Sequence, residues 1–408
     1  MNNVVKVTTL LSLSAATLLA SGYRIPEQSL NSVALSAAYV AGANGADASY
    51  YNPANMAFMA NGAEIEAAMT YINLPKVSFT NNGSSPSLTE TTSSNADSLS
   101  ESFYVPTMHY VSPKMGDWRY GLSIVAPGGL SKRWDEAYAS SSANEFTLKV
   151  VEINPTASYM VNEQFALGFG LRGVYTEGVV RSASTVASRD LSGDSIDFGY
   201  NLALSYKPIK DLTLSATYRS KVDLTVEGDA SLVHPLIAGG SYVGSASVTI
   251  PLPASLALAA AYTIDKTTVE FVFERTYWSS YKDLDFNYNI ALGGFDAPIP
   301  KNWKDSNAYR IGVSHQYSDT LKLMAGFAID KTPVPDSTLG FELPDSDAKL
   351  YSVGFEYKLS QNMKMGLSYL YDDKESRTIN QGVGLGKIKG EFTDSAAHLV
   401  TASLKYKF

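Results

Sequence analysis

The side chains that could carry out covalent or acid–base chemistry are few in this sequence. Its 408 residues include no cysteine and four histidines, which are His109, His234, His315 and His398. A serine-type hydrolase needs a serine, a base and an orienting group within hydrogen-bond reach of one another. No such serine signature lies beside any of the histidines, and no metal-binding spacing connects them. The sequence therefore predicts a protein that is not an enzyme and that uses no cofactor.

Charged side chains offer a second kind of chemistry, because several occupy alternate positions of otherwise apolar segments. Successive side chains of a β-strand point to opposite faces, so these cations and acids would share one interior. There they would either pair with one another in a network that holds the interior together or bind an anionic molecule. The cations are Arg172, Arg219, Lys221, Arg310, Lys322 and Lys364, and the acids are Glu270, Glu274 and Glu356.

The segments that carry these residues alternate between apolar and polar positions, as the end of the chain illustrates. An apolar face and a mostly polar face suit the wall of a bacterial outer-membrane barrel, whose outside meets lipid and whose inside meets water. The last strand of a soluble β-sandwich would alternate as well. In the last segment Val400, Ala402, Leu404, Tyr406 and Phe408 form one face, and Leu399, Thr401, Ser403, Lys405 and Lys407 form the other.

Short polar turns and long connections follow one another along the chain, which is how outer-membrane barrels are built. Six turns and seven long connections join fourteen strands, and the even number leaves both ends of the wall on the periplasmic side. We therefore predict an all-β fold, a 14-stranded antiparallel transmembrane β-barrel formed by residues 63–408. The turns lie at 113–117, 161–164, 208–211, 264–267, 317–320 and 359–362, and the long connections at 81–101, 127–145, 187–192, 229–242, 290–305, 331–347 and 376–392.

The first residues have the pattern of a Sec signal peptide. One cation, Lys6, precedes an uncharged run at 7–19, and small residues follow at 20–22. That run is shorter than the ~20 residues that a membrane-spanning helix needs, so residues 1–22 are predicted to be a signal peptide. Cleavage after Gly22 and cleavage after Ala20 are both compatible with the pattern. The mature chain is expected in the bacterial outer membrane, and its net charge of -8 argues against a nucleic-acid partner.

Residues 23–62 do not alternate like the rest of the mature chain. They are rich in Ala, Gly, Ser and Asn, and the stretch 29–39 could form a short helix. Such a segment before the first strand would either fill the barrel as an N-terminal plug or hang below it as a periplasmic tail. Composition leaves both interpretations open.

Two of the long connections are unusually apolar for loops that face the outside of a cell. They carry large aliphatic and aromatic side chains near residues 130–138 and 232–243. An exposed apolar patch often marks a binding site, although these loops could also simply pack on each other. We predict a ligand groove formed by Leu130, Trp134, Leu232, Val233, Leu236 and Ile237.

Residues 23–62 resemble the N-terminal hatch of the FadL family, which comprises outer-membrane transporters for long-chain fatty acids and other hydrophobic compounds. The most specific match is Asn52-Pro53-Ala54 followed by Met56-Ala57. Three further parts of the chain resemble the family in the same order, at 126–130, at 278–280 and at 330–336 with 343–347. Two departures lie in the hatch, where the family often has a pair of acids at the position of Ala46-Asp47 and a glycine at the position of Asn55.

The resemblance implies a barrel of this size closed by a plug, so residues 23–62 are expected inside it rather than below it. It further implies an outer groove, an inner pocket and lateral release through the wall beside a kinked third strand. Pro127 has no N–H, and Gly128 and Gly129 have no side chains, so ladder pairing would fail there and the strand could bend.

The function implied by the resemblance is passive uptake of long-chain fatty acids or other hydrophobic molecules. Arg172 and Arg219, which lie on adjacent hairpins, are the expected pocket cations for a carboxylate head group. The expected partners are hydrophobic small molecules and outer-membrane lipid, and the protein is expected to act as a monomer. The main alternative is a general diffusion porin for small hydrophilic solutes, which would have a charge-lined lumen and no plug. A structural or adhesive barrel is the third interpretation.

Overall fold

The structure is a computed structural model that describes residues 22–82, 95–292, 297–382 and 387–408. The predicted signal peptide, apart from Gly22, lies outside the described residues. Fourteen long strands in the described part of the chain form one continuous wall. They are β1 Glu64–Leu74, β2 Glu101–Val111, β3 Trp118–Arg133, β4 Glu145–Met160, β5 Phe165–Ala183, β6 Ser188–Ile209, β7 Leu212–Arg219 with Val222–Val233, β8 Ser241–Leu252 with Ser255–Ile264, β9 Thr267–Thr276, β10 Ser306–Gln316, β11 Leu321–Asp330, β12 Ala348–Lys358, β13 Met363–Lys374 and β14 Ala396–Lys407.

The wall closes on itself because the first strand pairs with the last. Glu64 of β1 lies opposite Lys407 of β14, and the antiparallel ladder continues to the pair Asn73 and His398. The remaining neighbours pair antiparallel in chain order around the barrel. The predicted closed, 14-stranded antiparallel barrel is therefore confirmed.

Alternation sorts the side chains of the wall into an outward and an inward face. On β5, Leu171 is 67% exposed, whereas its neighbour Arg172 is 2% exposed. On β14, Leu404 is exposed and Thr401 is fully buried. Exposed apolar side chains on an outward face fit a surface that meets lipid rather than water. Among the described residues, no helix has both the length and the apolarity to cross a membrane.

Some strands extend further into the long connections than the sequence predicted. Residues 188–192 of the expected loop at 187–192 belong to β6, and residues 184–187 separate β5 from β6. The expected loop at 229–242 likewise shrinks to 234–240. The start of β6 was missed because it is polar and lies outside the apolar pattern, and its Asp190 forms an ion pair with Arg181 of β5.

Several long connections contain short strands that the sequence did not predict. A four-stranded sheet forms at 78–81, 96–97, 377–380 and 389–393. Its polar residues face solvent, while Phe79 and Phe392 pack with ring centroids 4.7 Å apart. Only one face is covered, so the apolar residues are too few to give a clear alternation. The remaining short elements are strands Asp283–Leu284, Phe286–Tyr288 and Ile299–Pro300, helix α3 Ala137–Ala143, and the 3-10 helices Trp278–Ser280 and Asp336–Thr338.

Residues 23–62 lie inside the barrel and are almost completely buried. They contain the short helices α1 Leu30–Ala34 and α2 Ala48–Tyr51 and the 3-10 helix Pro53–Phe58. Ser29 caps α1 by accepting a hydrogen bond from the Ser32 N–H. Inner-wall glycines make the fit possible, since a Cβ added at Gly168 would lie 2.4 Å from the Ala54 nitrogen. We call residues 23–62 the plug.

Candidate ligand pocket and wall opening

The third strand is interrupted where the sequence places Pro127, Gly128 and Gly129. The register of β3 against β4 shifts between Val125 and Gly128, which marks a β-bulge. Residues 125–132 are buried on both faces, whereas the preceding residues of β3 alternate. A strand that is buried on both faces has bent away from the lipid surface and into the barrel. The bend lies in the middle of β3, which continues to Arg133, rather than at its end.

Beside the bend, the ladder between β2 and β3 is interrupted. These strands pair over only four positions, from Met108 opposite Ile124 to Val111 opposite Gly121. Above this interruption, the strands meet again through side chains, because the Ser131 hydroxyl donates to the Glu101 carboxylate over 2.8 Å. The described residues 102–107 of β2 form no ladder with β3. We call this gap the window.

The start of the plug covers the window from inside. The Ile25 N–H donates to the Pro127 carbonyl, and the Gly129 N–H donates to the Tyr23 carbonyl, both over 2.9 Å. The side chain of Gln28 binds both main-chain groups of Ala126, accepting from its N–H over 2.7 Å and donating to its carbonyl over 2.8 Å. Residues 23–28 therefore satisfy the backbone groups that the bend removes from the ladder.

An apolar pocket adjoins this segment inside the barrel, in the half that lies away from the periplasm. We call this half of the interior the outer half. The ring of Tyr23 lies 4.7 Å from that of Trp278 and 5.7 Å from that of Trp303, measured between centroids. The free volume is ≈ 20 Å³, which is about enough for one water molecule. A larger ligand must therefore displace a side chain to enter. The other lining residues include Leu130, Phe146, Leu148, Ile250, Tyr281 and Val334.

The pocket contains one buried cation, Lys301, which the sequence analysis missed. Its ammonium group pairs with the Glu342 carboxylate, and both groups line the pocket. Burial raises the pKa of the nearby Tyr281 phenol well above its usual value, so this group stays neutral beside the ion pair. Lys301 follows Pro300 in an irregular loop, where alternation gives no facing. The only sequence signal was a lysine two residues before Trp303 in a long connection.

The predicted ligand groove is assembled in part. Leu130, Trp134, Leu232 and Ile237 lie in one apolar cluster, and the Trp134 indole donates to the Phe341 carbonyl over 2.8 Å. Two other members point elsewhere, because Val233 is 46% exposed and Leu236 is 88% exposed. Four of the six groove residues therefore belong to one cluster, in which Trp134 packs against the rings of Phe341 and Phe392. Their role in binding stays a prediction.

The predicted pocket cations share a single acid. Arg172 and Arg219 both contact the Glu152 carboxylate over 2.9 Å. The Arg219 guanidinium also lies 3.8 Å from the centroid of the Tyr50 ring and donates to the Tyr50 carbonyl. This geometry fits the interior network that the sequence left open as an alternative. Neither arginine lines the apolar pocket, and their contact with a ligand stays a prediction.

The hatch motif fastens the middle of the plug to the wall. The Asn52 amide nitrogen lies 2.9 Å and 3.0 Å from the hydroxyls of Ser205 and Ser215. Pro53 begins the 3-10 helix, and Ala54 lies directly against the inner wall. Asn55, where the family commonly has glycine, donates to the carbonyls of Ala41 and Ala43. The departure from the family pattern therefore adds hydrogen bonds within the plug.

A carboxylate on the ninth strand fastens the tip of the plug. Glu270 of β9 accepts hydrogen bonds from three consecutive N–H groups, those of Val40 and Ala41 over 2.6 Å and that of Gly42 over 2.9 Å. Consecutive N–H groups of this kind form a concave anion site. The sequence correctly aimed Glu270 at the interior but gave no indication of its partners. We call this arrangement the Glu270 latch.

One histidine also contacts the plug. His109 is fully buried on the inner face of β2. Its Nε2 lies 2.9 Å from the Gln28 carbonyl oxygen, which can only accept, so Nε2 donates. Its Nδ1 lies 3.1 Å from the Ser123 hydroxyl. His109 therefore links the plug to the wall beside the window.

Polar cavities occupy the periplasmic half around the plug tip. One has a volume of ≈ 430 Å³ and a second has ≈ 360 Å³. The first is lined by lysines and acids that include Lys322, Lys405 and Glu356. Lys405 pairs with both Glu356 and Glu66, so charges of opposite sign are balanced within this cavity. These cavities suit water and ions, in contrast to the apolar pocket above.

Comparison with sequence families gives one match that spans most of the chain. A family model described as "Outer membrane protein transport protein (OMPP1/FadL/TodX)" matches residues 11–408. The long-chain fatty acid transport protein of Escherichia coli K12 is 25% identical over 380 residues, covering 81% of this chain and 82% of that protein. Outer membrane protein P1 of Haemophilus influenzae is 24% identical over 351 residues, covering 75% of each chain.

Solved structures show the same fold. A Pseudomonas aeruginosa FadL homologue superimposes with a TM-score of 0.83 at 19% identity, covering 95% of this chain and 100% of that chain. The toluene transporter TodX of Pseudomonas putida superimposes with a TM-score of 0.70 at 17% identity, covering 96% and 99%. At these identities the likeness is evidence for the fold. Together with relatives that are named outer membrane proteins, it places the chain in the bacterial outer membrane.

Proposed function

This chain belongs to the OMPP1/FadL/TodX family of outer membrane transport proteins, and on that premise we propose that it takes up long-chain fatty acids or other hydrophobic molecules. The uptake is passive and follows the gradient of the molecule. The observation that carries the proposal is the apolar pocket around Tyr23, because its aromatic and aliphatic lining holds one buried cation and adjoins the window.

The proposed route avoids water at each step. An apolar chain loses roughly 0.8 kcal/mol per methylene when it leaves apolar surroundings for water. A water-filled pore would therefore reject it, whereas a pocket that opens sideways into the bilayer would not. The window between β2 and β3 supplies such a side exit, and its lower edge is the pair Met108 and Ile124.

Ligand entry and window opening are linked through Tyr23 in this proposal. The ring of Tyr23 fills the pocket, while its backbone carbonyl accepts from the Gly129 N–H at the bend of β3. A ligand that displaces the Tyr23 ring would move the residue whose backbone carbonyl covers the window. The pocket therefore opens the exit only when it is occupied.

We assign the head group of a fatty acid to Lys301. A carboxylate of the ligand would replace the Glu342 carboxylate, which lies at the rim of the pocket and is 21% exposed. A charged hydrogen bond of this kind contributes about 1.5–3 kcal/mol. Arg172 and Arg219 remain candidates for a later contact, but Glu152 already balances them.

A general diffusion porin is the second candidate, and the polar cavities at the periplasmic end favour it. The plug separates these cavities from the outer half, since Asn52 of the plug bonds to Ser205 of the wall and Glu270 of the wall bonds to the plug on that side. A porin of this structure would conduct only after the plug moved.

The first test is to identify what the protein carries. The protein is purified from outer membranes in mild detergent, extracted with organic solvent and the extract analysed by mass spectrometry. A co-purifying fatty acid or hydrocarbon supports uptake of hydrophobic molecules and names the substrate class. A clean extract together with steady ion conductance in planar bilayers would support the porin instead.

A further inference from the structure

An apolar depression lies on the outer surface of the barrel, where β13, β14, β1, β2 and β3 stand side by side. Its volume is ≈ 690 Å³, within the range of about 300–1,000 Å³ that is typical of ligand pockets. Its side chains come mainly from the outward face of the wall, and they include Ala67, Met69, Met108, Ile124, Met365 and Leu404. We call this depression the lipid-side groove.

The pairing of the strands fixes where the groove runs. One row of outward residues crosses the wall from Leu404 through Ala67 and Met108 to Ile124, because these residues lie opposite one another. The next row up runs from Ala402 through Met69 to Pro106 and stops there. It stops because β2 and β3 no longer pair above Met108. The groove therefore leads directly to the lower edge of the window.

Side-chain size explains why the surface is hollow at this place. Ala67 and Ala402 present single methyl groups side by side with the groove's other residues, whereas many outward positions elsewhere carry larger side chains, for example Phe169, Leu171 and Tyr309. Methionines line the groove on β1, β2 and β13. Unbranched thioether side chains adapt to chains of different shape. The five strands extend over four strand spacings, or about 19 Å.

We propose that the lipid-side groove receives the apolar chain of the transported molecule as it leaves the window. This inference rests on the proposed function. The groove begins at the window, lies on the lipid face and contains no charged side chain among its lining residues. A chain that slides into it stays in contact with apolar protein until its head group clears the wall.

Filling the groove should slow release without changing the pocket. The variant Ala67→Phe/Ala402→Phe places two rings in the groove, and Ala260→Phe/Ala325→Phe places two rings on outward positions of β8 and β11 as the control. Uptake of radiolabelled palmitate into proteoliposomes is measured beside palmitate binding in detergent. We expect a several-fold loss of uptake in the groove variant alone, with binding unchanged. Resistance of the folded barrel to SDS at low temperature checks assembly of both variants.

The outcomes separate this inference from the function on which it rests. No palmitate uptake by the wild-type protein would count against the proposed function itself. Normal wild-type uptake with normal uptake by the groove variant overturns the groove. Equal losses in the groove and control variants, or a loss of binding, overturn it as well, because the rings would then act through general effects or through the pocket.

A second measurement identifies the occupant directly. The chain contains no cysteine, so Ala67→Cys and Ala260→Cys each give one labelling site for a bimane fluorophore. Dibromostearate and dibrominated phosphatidylcholine are added to the vesicles at equal bromine content. Stronger quenching by dibromostearate at position 67 than at position 260 supports the proposal. Equal quenching at the two positions means that bilayer lipid fills the groove, and it overturns the proposal.

Discussion

The two halves of the barrel interior differ in the contacts that their side chains make with the plug. In the outer half, the Tyr23 side chain packs among aromatic rings and aliphatic side chains beside the Lys301–Glu342 pair, while the backbone of residues 23–25 hydrogen-bonds to β3. In the periplasmic half, hydrogen bonds hold the plug, as in the Glu270 latch. Apolar contacts are not directional, so a ligand of suitable shape can replace them. Hydrogen bonds are directional and must be replaced one by one. The difference suits a Tyr23 side chain that a ligand can displace and a plug tip that stays fixed.

Removing the first part of the plug should have the largest effect, because it removes contacts in both halves of the barrel interior at once. Deletion of residues 23–40 removes Tyr23, the cover of the window and part of the Glu270 latch. We expect steady ion conductance in planar bilayers, where the intact protein conducts little. A deletion variant that folds but conducts no more than the intact protein would show that the remaining plug residues seal the barrel alone.

Replacing the pocket cation should sharpen the comparison, since it acts on the outer half only. Lys301→Ala is expected to weaken fatty-acid binding by roughly one to two orders of magnitude, because a charged hydrogen bond is lost. Lys301→Arg should restore most of the affinity. Binding of toluene, which has no head group, should stay unchanged. The exposed Lys304→Ala serves as the control, and an equal loss in that variant would contradict the assignment.

Breaking the Glu270 latch should affect the periplasmic half only. Glu270→Ala leaves three N–H groups of the plug, two of them buried, without their carboxylate. We expect the free energy of unfolding to fall by about 1–3 kcal/mol, with brief openings in single-channel recordings and unchanged ligand affinity. Glu163→Ala, in an exposed turn, is the matched control. Lower ligand affinity in Glu270→Ala would mean that the two halves are not independent.

Crowding the bend of β3 should have the smallest effect on structure, and it tests the cover of the window. A Cβ at Gly128 would lie 3.1 Å from the Tyr23 carbonyl oxygen, whereas a Cβ at Gly173 would lie 3.8 Å from its nearest neighbour. We expect Gly128→Val to slow uptake and Gly173→Val to leave it near normal, measured with labelled palmitate. Unchanged uptake in Gly128→Val would count against the lateral route.

The period of two in the sequence predicted the barrel, because successive side chains of a strand face opposite sides of the wall and the two sides have different surroundings. Leu171 and Arg172 show how directly alternation gives facing. Alternation does not identify hydrogen-bond partners. It predicted that Arg172, Arg219 and Glu270 face the interior, but not which acid or backbone group each of them contacts. The extension of β6 to residue 188 was missed because a strand beyond the membrane does not need an apolar face.

The candidate pocket was predicted less well than the wall. Lys301 lies in an irregular connection, where neither period two nor a turn signature applies. Four residues of the predicted ligand groove, Leu130, Trp134, Leu232 and Ile237, were found from composition. Large apolar side chains rarely gather in exposed loops, so their presence there was informative. Val233 and Leu236 were included for the same reason, although the structure turns them outward. Composition identifies an apolar region but not the direction of each side chain.

The short ladder between β2 and β3 also bears on the mechanical strength of the barrel. The seam that joins the chain ends, β1 with β14, contains ten paired positions, whereas β2 and β3 share four. A barrel under heat or tension should therefore unzip at this internal seam and not where its termini meet. Amide protons of residues 108–111 should exchange with solvent earlier than those of residues 64–73 on the strand that closes the ring.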